Sequence, residues 1–133
     1  MFTVHNPPDT MPLVGPLSWG LEAAAPRRVL YISGQVGADA DGKVGDGFLT
    51  QAKLTWDNVG AVLRSAGMTP RNVIRTGIYV TPQVEMTESV RIAFNALRTG
   101  FLGDNRPAST MIYVHGLMNP EWLVEIDAVA IEL

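Results

Sequence analysis

The hydrophobic period along this chain switches from two to about 3.6 and back, twice, and that alternation constrains the fold more than any single residue does. Residues Arg28 to Val36 (RVLYISGQV) are β-branched and aromatic enough for a strand. From Phe48 to Ala66, the residues Leu49, Ala52, Trp56, Val59, Leu63 and Ala66 recur at steps of three and four. That spacing predicts one face of a helix, with Gly67 suited to its C-terminal cap. Asn72 to Thr81 (NVIRTGIYVT) reads as a second strong strand, and Pro82 fits the first turn of the next helix. That helix is expected to bury Met86, Val90, Ala93 or Phe94, Leu97 and Phe101. Strands Ser109 to Leu117 and Leu123 to Leu133 follow, with Asn119-Pro120 turning between them. Ahead of all this, Pro7, Pro8, Pro12, Pro16 and Pro26 mark an irregular segment around one or two short strands, such as Ser18 to Glu22. The predicted order is β-β-α-β-α-β-β, an α+β fold with both helices on one face of one mixed sheet. A length of 133 residues fits a single domain, residues 1–133.

Alternation along a strand assigns two faces. One is plainly core: Leu30, Ile32 and Val36; Ile74, Ile78 and Val80; Ile112 and Val114; Val124, Ile126, Ala128 and Ala130. The other is mixed: Tyr31, Ser33 and Gln35; Arg75 and Tyr79; Met111, Tyr113 and His115; Leu123, Glu125, Asp127, Val129 and Ile131. A face meeting only solvent is more uniformly polar than this. Charged residues make up just 17% of the chain and the mean hydropathy is +0.13, too few charges to cover so small a domain. The second face is therefore expected to meet another subunit and to hold a pocket there.

Several chemistries are excluded or disfavoured. There is no cysteine, which removes disulfides, thiol catalysis and thiolate metal sites. With His5 and His115 as the only histidines, a histidine-based metal site is not expected. A net charge of −3 makes a poor ligand for phosphate backbones, and Trp19, Trp56 and Trp122 are scattered without basic neighbours. The loop Gly42-Lys43-Val44-Gly45-Asp46-Gly47 lacks the phosphate-cradling pattern and reads as a turn. No apolar run reaches the roughly 20 residues a bilayer span needs, and the N-terminus lacks a basic region followed by an apolar core. The expectation is a cytoplasmic domain with no membrane or nucleic-acid partner. Glu125 and Asp127 leave one strand face about 6.5–7 Å apart, and paired carboxylates divide acid and base work when their surroundings separate their pKa values. A wet carboxylate ladder, or an ion pair with Arg75, is the simpler reading of Asp127; for Glu125 both readings stand. His115 has a near-neutral pKa suited to a general base, against which stands the ordinary fate of a lone histidine as a packed or surface residue.

The segments Leu30-Tyr-Ile-Ser-Gly-Gln-Val36, Gln51-Ala52 with Asp57-Asn58-Val59, Phe94-Asn-Ala-Leu-Arg-Thr-Gly-Phe101, Arg106-Pro-Ala-Ser-Thr110 and Val124-Glu-Ile-Asp-Ala-Val-Ala130 occur in one order. Together they resemble the Rid (YjgF-type) enamine/imine deaminase family over nearly the whole chain, from about Gly15 onward. The resemblance implies a chorismate-mutase-like homotrimer, its sheets forming an inner barrel with three pockets between subunits. It also implies cofactor-free hydrolysis of reactive enamines and imines such as 2-aminoacrylate. Ser33 and Asn95 match family pocket residues, and Glu125 matches the glutamate that handles the attacking water. Two positions depart. Ser109 stands where the family has an arginine that clamps the substrate carboxylate, and Leu17 stands where it has a pocket tyrosine. Serine supplies one hydroxyl and no charge, so ordinary 2-imino acids should bind poorly. Arg75 and Arg106 are candidates to replace the clamp, and Met111, Arg75 and His115 join the expected substrate-binding set. Three functions compete: a hydrolase of another C=N substrate, a non-catalytic binding or protein-protecting trimer, and a ribonuclease, the last disfavoured by the acidic balance.

Overall fold

The computed structural model describes residues 2–133. In chain order it contains β1 (Thr3–His5), β2 (Gly20–Glu22), β3 (Arg28–Val36), α1 (Phe48–Ser65), a short 3-10 turn (Pro70–Asn72), β4 (Val73–Val80), α2 (Glu88–Leu102), β5 (Ala108–Tyr113) and β6 (Val124–Glu132). The four longer strands form one mixed sheet in the order β3-β6-β4-β5, with β6 antiparallel to β3 and β4, and β4 parallel to β5. The steps from β3 to β4 and from β4 to β5 run the same way across the sheet. A common crossover hand therefore puts α1 and α2 on the same face. The fold is α+β, two helices on one mixed sheet, as the periodicity predicts. No helix among the described residues is long and apolar enough to cross a membrane.

The core lies between that sheet and the helices. Trp56, Val59, Leu63, Phe94 and Leu102 from the helices pack on Ile32, Ile78, Val80, Val124, Ile126 and Ala128. Two aromatic stacks join the helices, Phe48 on Phe94 (5.6 Å between centroids) and Trp56 on Phe101 (5.0 Å). Buried Gln51 ties α1 to the loops around it: its amide nitrogen donates to the Gly45 and Glu121 carbonyls, and its amide oxygen accepts from Leu123 N–H.

The structure corrects several sequence expectations. The first short strand does not join the main sheet; β2 pairs with β1 in a separate two-stranded sheet, and Ser18 makes only an isolated bridge to Ala108. Pro82 does not open α2, which starts six residues later, where the Thr87 hydroxyl accepts from Val90 N–H. Met86 accordingly packs on the core from the connection before the helix. Leu49 is exposed, and Phe48 takes its place against the core.

Strand faces change too, each time for a register reason. On β3, two steps of β6 (Ala128 to Ile126) face three steps of β3 (Ile32 to Gln35), a bulge that turns Gln35 to the core side and Val36 to the open side. A second irregularity between Val73 and Arg75 puts Val73 in the core in place of Ile74. On β5, parallel pairing sets Ser109 opposite Thr76, Met111 opposite Ile78, and Ile112 opposite Tyr79. Ser109, Met111 and Tyr113 therefore lie on the helix face and Ile112 on the open face, the reverse of the sequence expectation. Tyr113 reaches Val84 O, and Thr76 donates to the Ser109 hydroxyl at 2.8 Å.

Candidate functional site

The open face of the sheet, away from the helices, gathers one group of polar side chains. Glu125 on β6 sits opposite Tyr79 on β4, Asp127 opposite Gly77, and Val129 opposite Arg75. The Tyr79 hydroxyl donates to Asp127 Oδ2 at 2.8 Å, and Arg75 Nη2 donates to Thr110 Oγ1 at 2.9 Å. Among the described residues neither carboxylate forms an ion pair, so the Arg75 pairing the sequence left open is absent. Burial, and after it the Asp127 charge, pushes the Glu125 carboxyl above its usual range. The Asp127 hydrogen bond, then burial, holds the Tyr79 phenol up as well.

Two glycines make room for this group. A Cβ on Gly34 would lie 2.5 Å from Glu125 Oε2 and 2.7 Å from its Cδ. A Cβ on Gly77 would lie 2.6 Å from Asp127 Oδ1 and 2.7 Å from the Tyr79 hydroxyl. Both carboxylates thus occupy space that any other residue would fill. Ser33, next to Gly34 at the bulge, is exposed. Apolar side chains flank the group: Tyr31 is 78% exposed, Ile112 46% and Val29 45%.

A second group lies on the other side of the sheet, at its β5 edge. Leu17, Asn95, Ser109 and Met111 line one cavity of about 200 Å³ with Arg91 and Arg98. The structure thus brings together four of the residues expected to bind substrate, but not with Glu125, Ser33 or Arg75, which belong to the open face. His115 joins neither group; β5 ends at Tyr113, and His115 is exposed in the loop beyond. Arg106 is occupied by the Gly103 and Asn105 carbonyls. The residue the sequence reading missed is Arg98, buried on α2. It falls on the helix's apolar stripe, four residues after Phe94 and beside Leu97, and a charge in that stripe was the available signal. A larger groove between α1 and α2 is lined by Trp56, Met68, Leu97 and Phe101, with Lys53 and Asp57 paired at 2.8 Å. Arg64 also lines it, without an ion pair among the described residues, but none of the residues expected to bind substrate lies there. No group of three or more acidic or histidine side chains gathers as metal ligands would among those residues.

Comparison with known proteins agrees with this architecture. Residues 15–132 match the family model described as endoribonuclease L-PSP. A RutC family protein of Aquifex aeolicus (strain VF5) is 32% identical over 136 residues, covering 99% of this chain and 100% of that one. The 2-iminobutanoate/2-iminopropanoate deaminase of Homo sapiens is 31% identical over 121 residues, covering 90% of this chain and 82% of the other. The crystal structure of YyfB from Yersinia pestis, described as a protein of unknown function of the conserved Rid protein family, matches with a TM-score of 0.85 at 32% identity over 98% of each chain. Matched over nearly its whole length in both sequence and fold, the chain belongs to the endoribonuclease L-PSP family, that of the Rid (YjgF-type) and RutC proteins.

Proposed function

We propose that this chain is a cytoplasmic, cofactor-independent deaminase that hydrolyses the C=N bond of a small imine, or of an enamine after tautomerisation, with a specificity diverged from 2-aminoacrylate. Glu125 carries the reading: it is a half-buried carboxylate with a raised pKa, in space kept clear by Gly34, and no cation pairs with it among the described residues. A carboxyl raised above its usual range is a stronger proton acceptor than an ordinary one. Water adds to the imine carbon while Glu125 accepts its proton; the nitrogen is protonated and leaves as ammonia, and the oxygen remains as a carbonyl. The human relative's activity supports the reaction class. The substitutions Ser109 and Leu17 support the changed specificity.

The two polar groups face opposite sides of one sheet, so a single copy does not present both to one substrate. The proposal is therefore a homotrimer in which the open face of one copy completes the cavity of the next. The exposed Tyr31, Val29 and Ile112 supply apolar area for that contact. Light scattering should give about three times the chain mass of 14.4 kDa; a monomer at micromolar concentration would sink this assembly. The reaction is tested by trapping imines with semicarbazide, comparing the native chain with Glu125→Gln. Loss of turnover in a folded, trimeric Glu125→Gln supports the assignment, and full turnover removes it. A native chain that binds small molecules but turns over no imine favours the alternative, a binding trimer that kept the scaffold. The net charge of −3 argues against RNA as the substrate.

A further inference from the structure

Arg98 is the polar group the fold explains least. It is 3% exposed, yet its Nε and Nη2 have no hydrogen-bond partner, and no carboxylate among the described residues pairs with it. These two N–H groups lie on one edge of the planar guanidinium, which pairs with a carboxylate through two parallel hydrogen bonds once the side chain turns that closed-off edge toward the cavity. Burial, and then the Arg106 charge, pulls Arg98 down to about 10, which leaves it charged at neutral pH. A buried and unpaired cation is costly to maintain, and an arriving anion removes that cost.

The cavity beside it has the matching composition. Arg91, Asn95 and Arg98 stand four and then three residues apart, which puts them on one stripe of α2, and all three line the cavity. Ser109 adds a hydroxyl, Leu17 and Met111 add apolar wall, and within one copy no acidic residue lines it. Within one copy, two cations and no acid converge there although the whole chain carries a net charge of −3. Its volume of about 200 Å³ is room for a small organic acid, a water's share of liquid volume being about 30 Å³.

We propose that Arg98 is the anion receptor of this site, holding the substrate's carboxylate from helix α2, with exposed Arg91 at the rim. The inference rests on the imine-hydrolase reading and narrows its substrates to acids whose carboxylate is read from the helix and not from β5, which readmits 2-imino acids despite Ser109. Hydrolysis of a 2-imino acid yields a 2-oxo acid, so pyruvate and its uncharged amide, pyruvamide, are suitable probes.

Calorimetric titration of the native chain should show pyruvate binding about tenfold or more tighter than pyruvamide. Arg98→Met should erase that preference. Ser109→Asp provides a second route should Arg98→Met fail to fold: its carboxylate would pair with the guanidinium, raise the melting temperature and abolish pyruvate binding with Arg98 still present. Equal binding of the two probes by the native chain overturns the proposal. So does unchanged pyruvate affinity in a folded Arg98→Met or in Ser109→Asp. The two readings fail separately. A charge preference with no imine turnover removes the deaminase and leaves the receptor. An unchanged KM for 2-iminobutanoate in an active Arg98→Met removes the receptor and leaves the deaminase.

Discussion

Gly34→Ala moves the candidate catalytic group without altering its chemistry. The added methyl would stand 2.5 Å from Glu125 Oε2, against ordinary contact from 3.4 Å, so the carboxylate must retreat by about 0.9 Å. Gly34 does not take a positive φ, so alanine suits its backbone. The substitution stiffens the unfolded chain, a gain of about 0.4–1 kcal/mol. Overpacking costs about 1–3 kcal/mol in a rigid core, but here the obstacle is the half-buried, flexible Glu125 side chain, met from Cγ (2.9 Å) to Oε2. The net change should stay within about 1 kcal/mol, or about 4 °C in melting temperature for a domain of this size. Turnover should suffer far more, since a displacement of about 1 Å at a reacting group costs about 10²-fold. The assay pairs thermal melting at fixed protein concentration with semicarbazide-trapped turnover of 2-iminobutanoate. A folded Gly34→Ala that keeps native turnover would refute the claim that Glu125 needs this position to act.

Three further outcomes are expected. Because folding raises the Glu125 pKa, its ionisation works against the folded state: stability associated with the protonated acid is complete below the usual value of 4.5 and lost as pH rises through the raised value. Glu125→Gln should therefore melt at or above the native temperature at neutral pH, the difference closing as the medium is acidified; a Gln variant less stable at neutral pH would contradict this. Gln51→Leu strands three backbone groups at once and should cost about 3 kcal/mol, about 10 °C by calorimetry, and an unshifted melt would show that the three bonds hold little. Tyr79→Phe removes the hydrogen bond to Asp127 and should cost about 1 kcal/mol, because water partly replaces the partner at this half-exposed site; chemical denaturation reads it, and a stabilised variant would mean that the bond is strained.

Strand β3 is read correctly to the residue, and α1 to within one, because both rest on local patterns with firm ends. The site was legible only in pieces. Glu125 and Asp127 were visible as neighbours on one face, since alternation within β6 is local and unbroken. The face of Ser109 and Met111 was not visible, because it depends on which strand β5 joins and in which direction. Arg98 was hidden in a stripe read for its apolar members.

What the amino-acid order determined by itself is whatever depends on a few neighbouring residues: the switch between periods, the two helices and four strands of the main layer, the amphipathic second face of β6. Tertiary structure alone decided what depends on pairing between distant segments. The bulge at Ile32–Gln35 inverts the end of β3, the parallel β4–β5 register inverts β5, and the packing of α2 beside β5 buries Arg98 next to a cavity. The reason is the two-residue side-chain period of a strand: a shift of one residue, set by a partner strand far away in sequence, sends every later side chain to the opposite face.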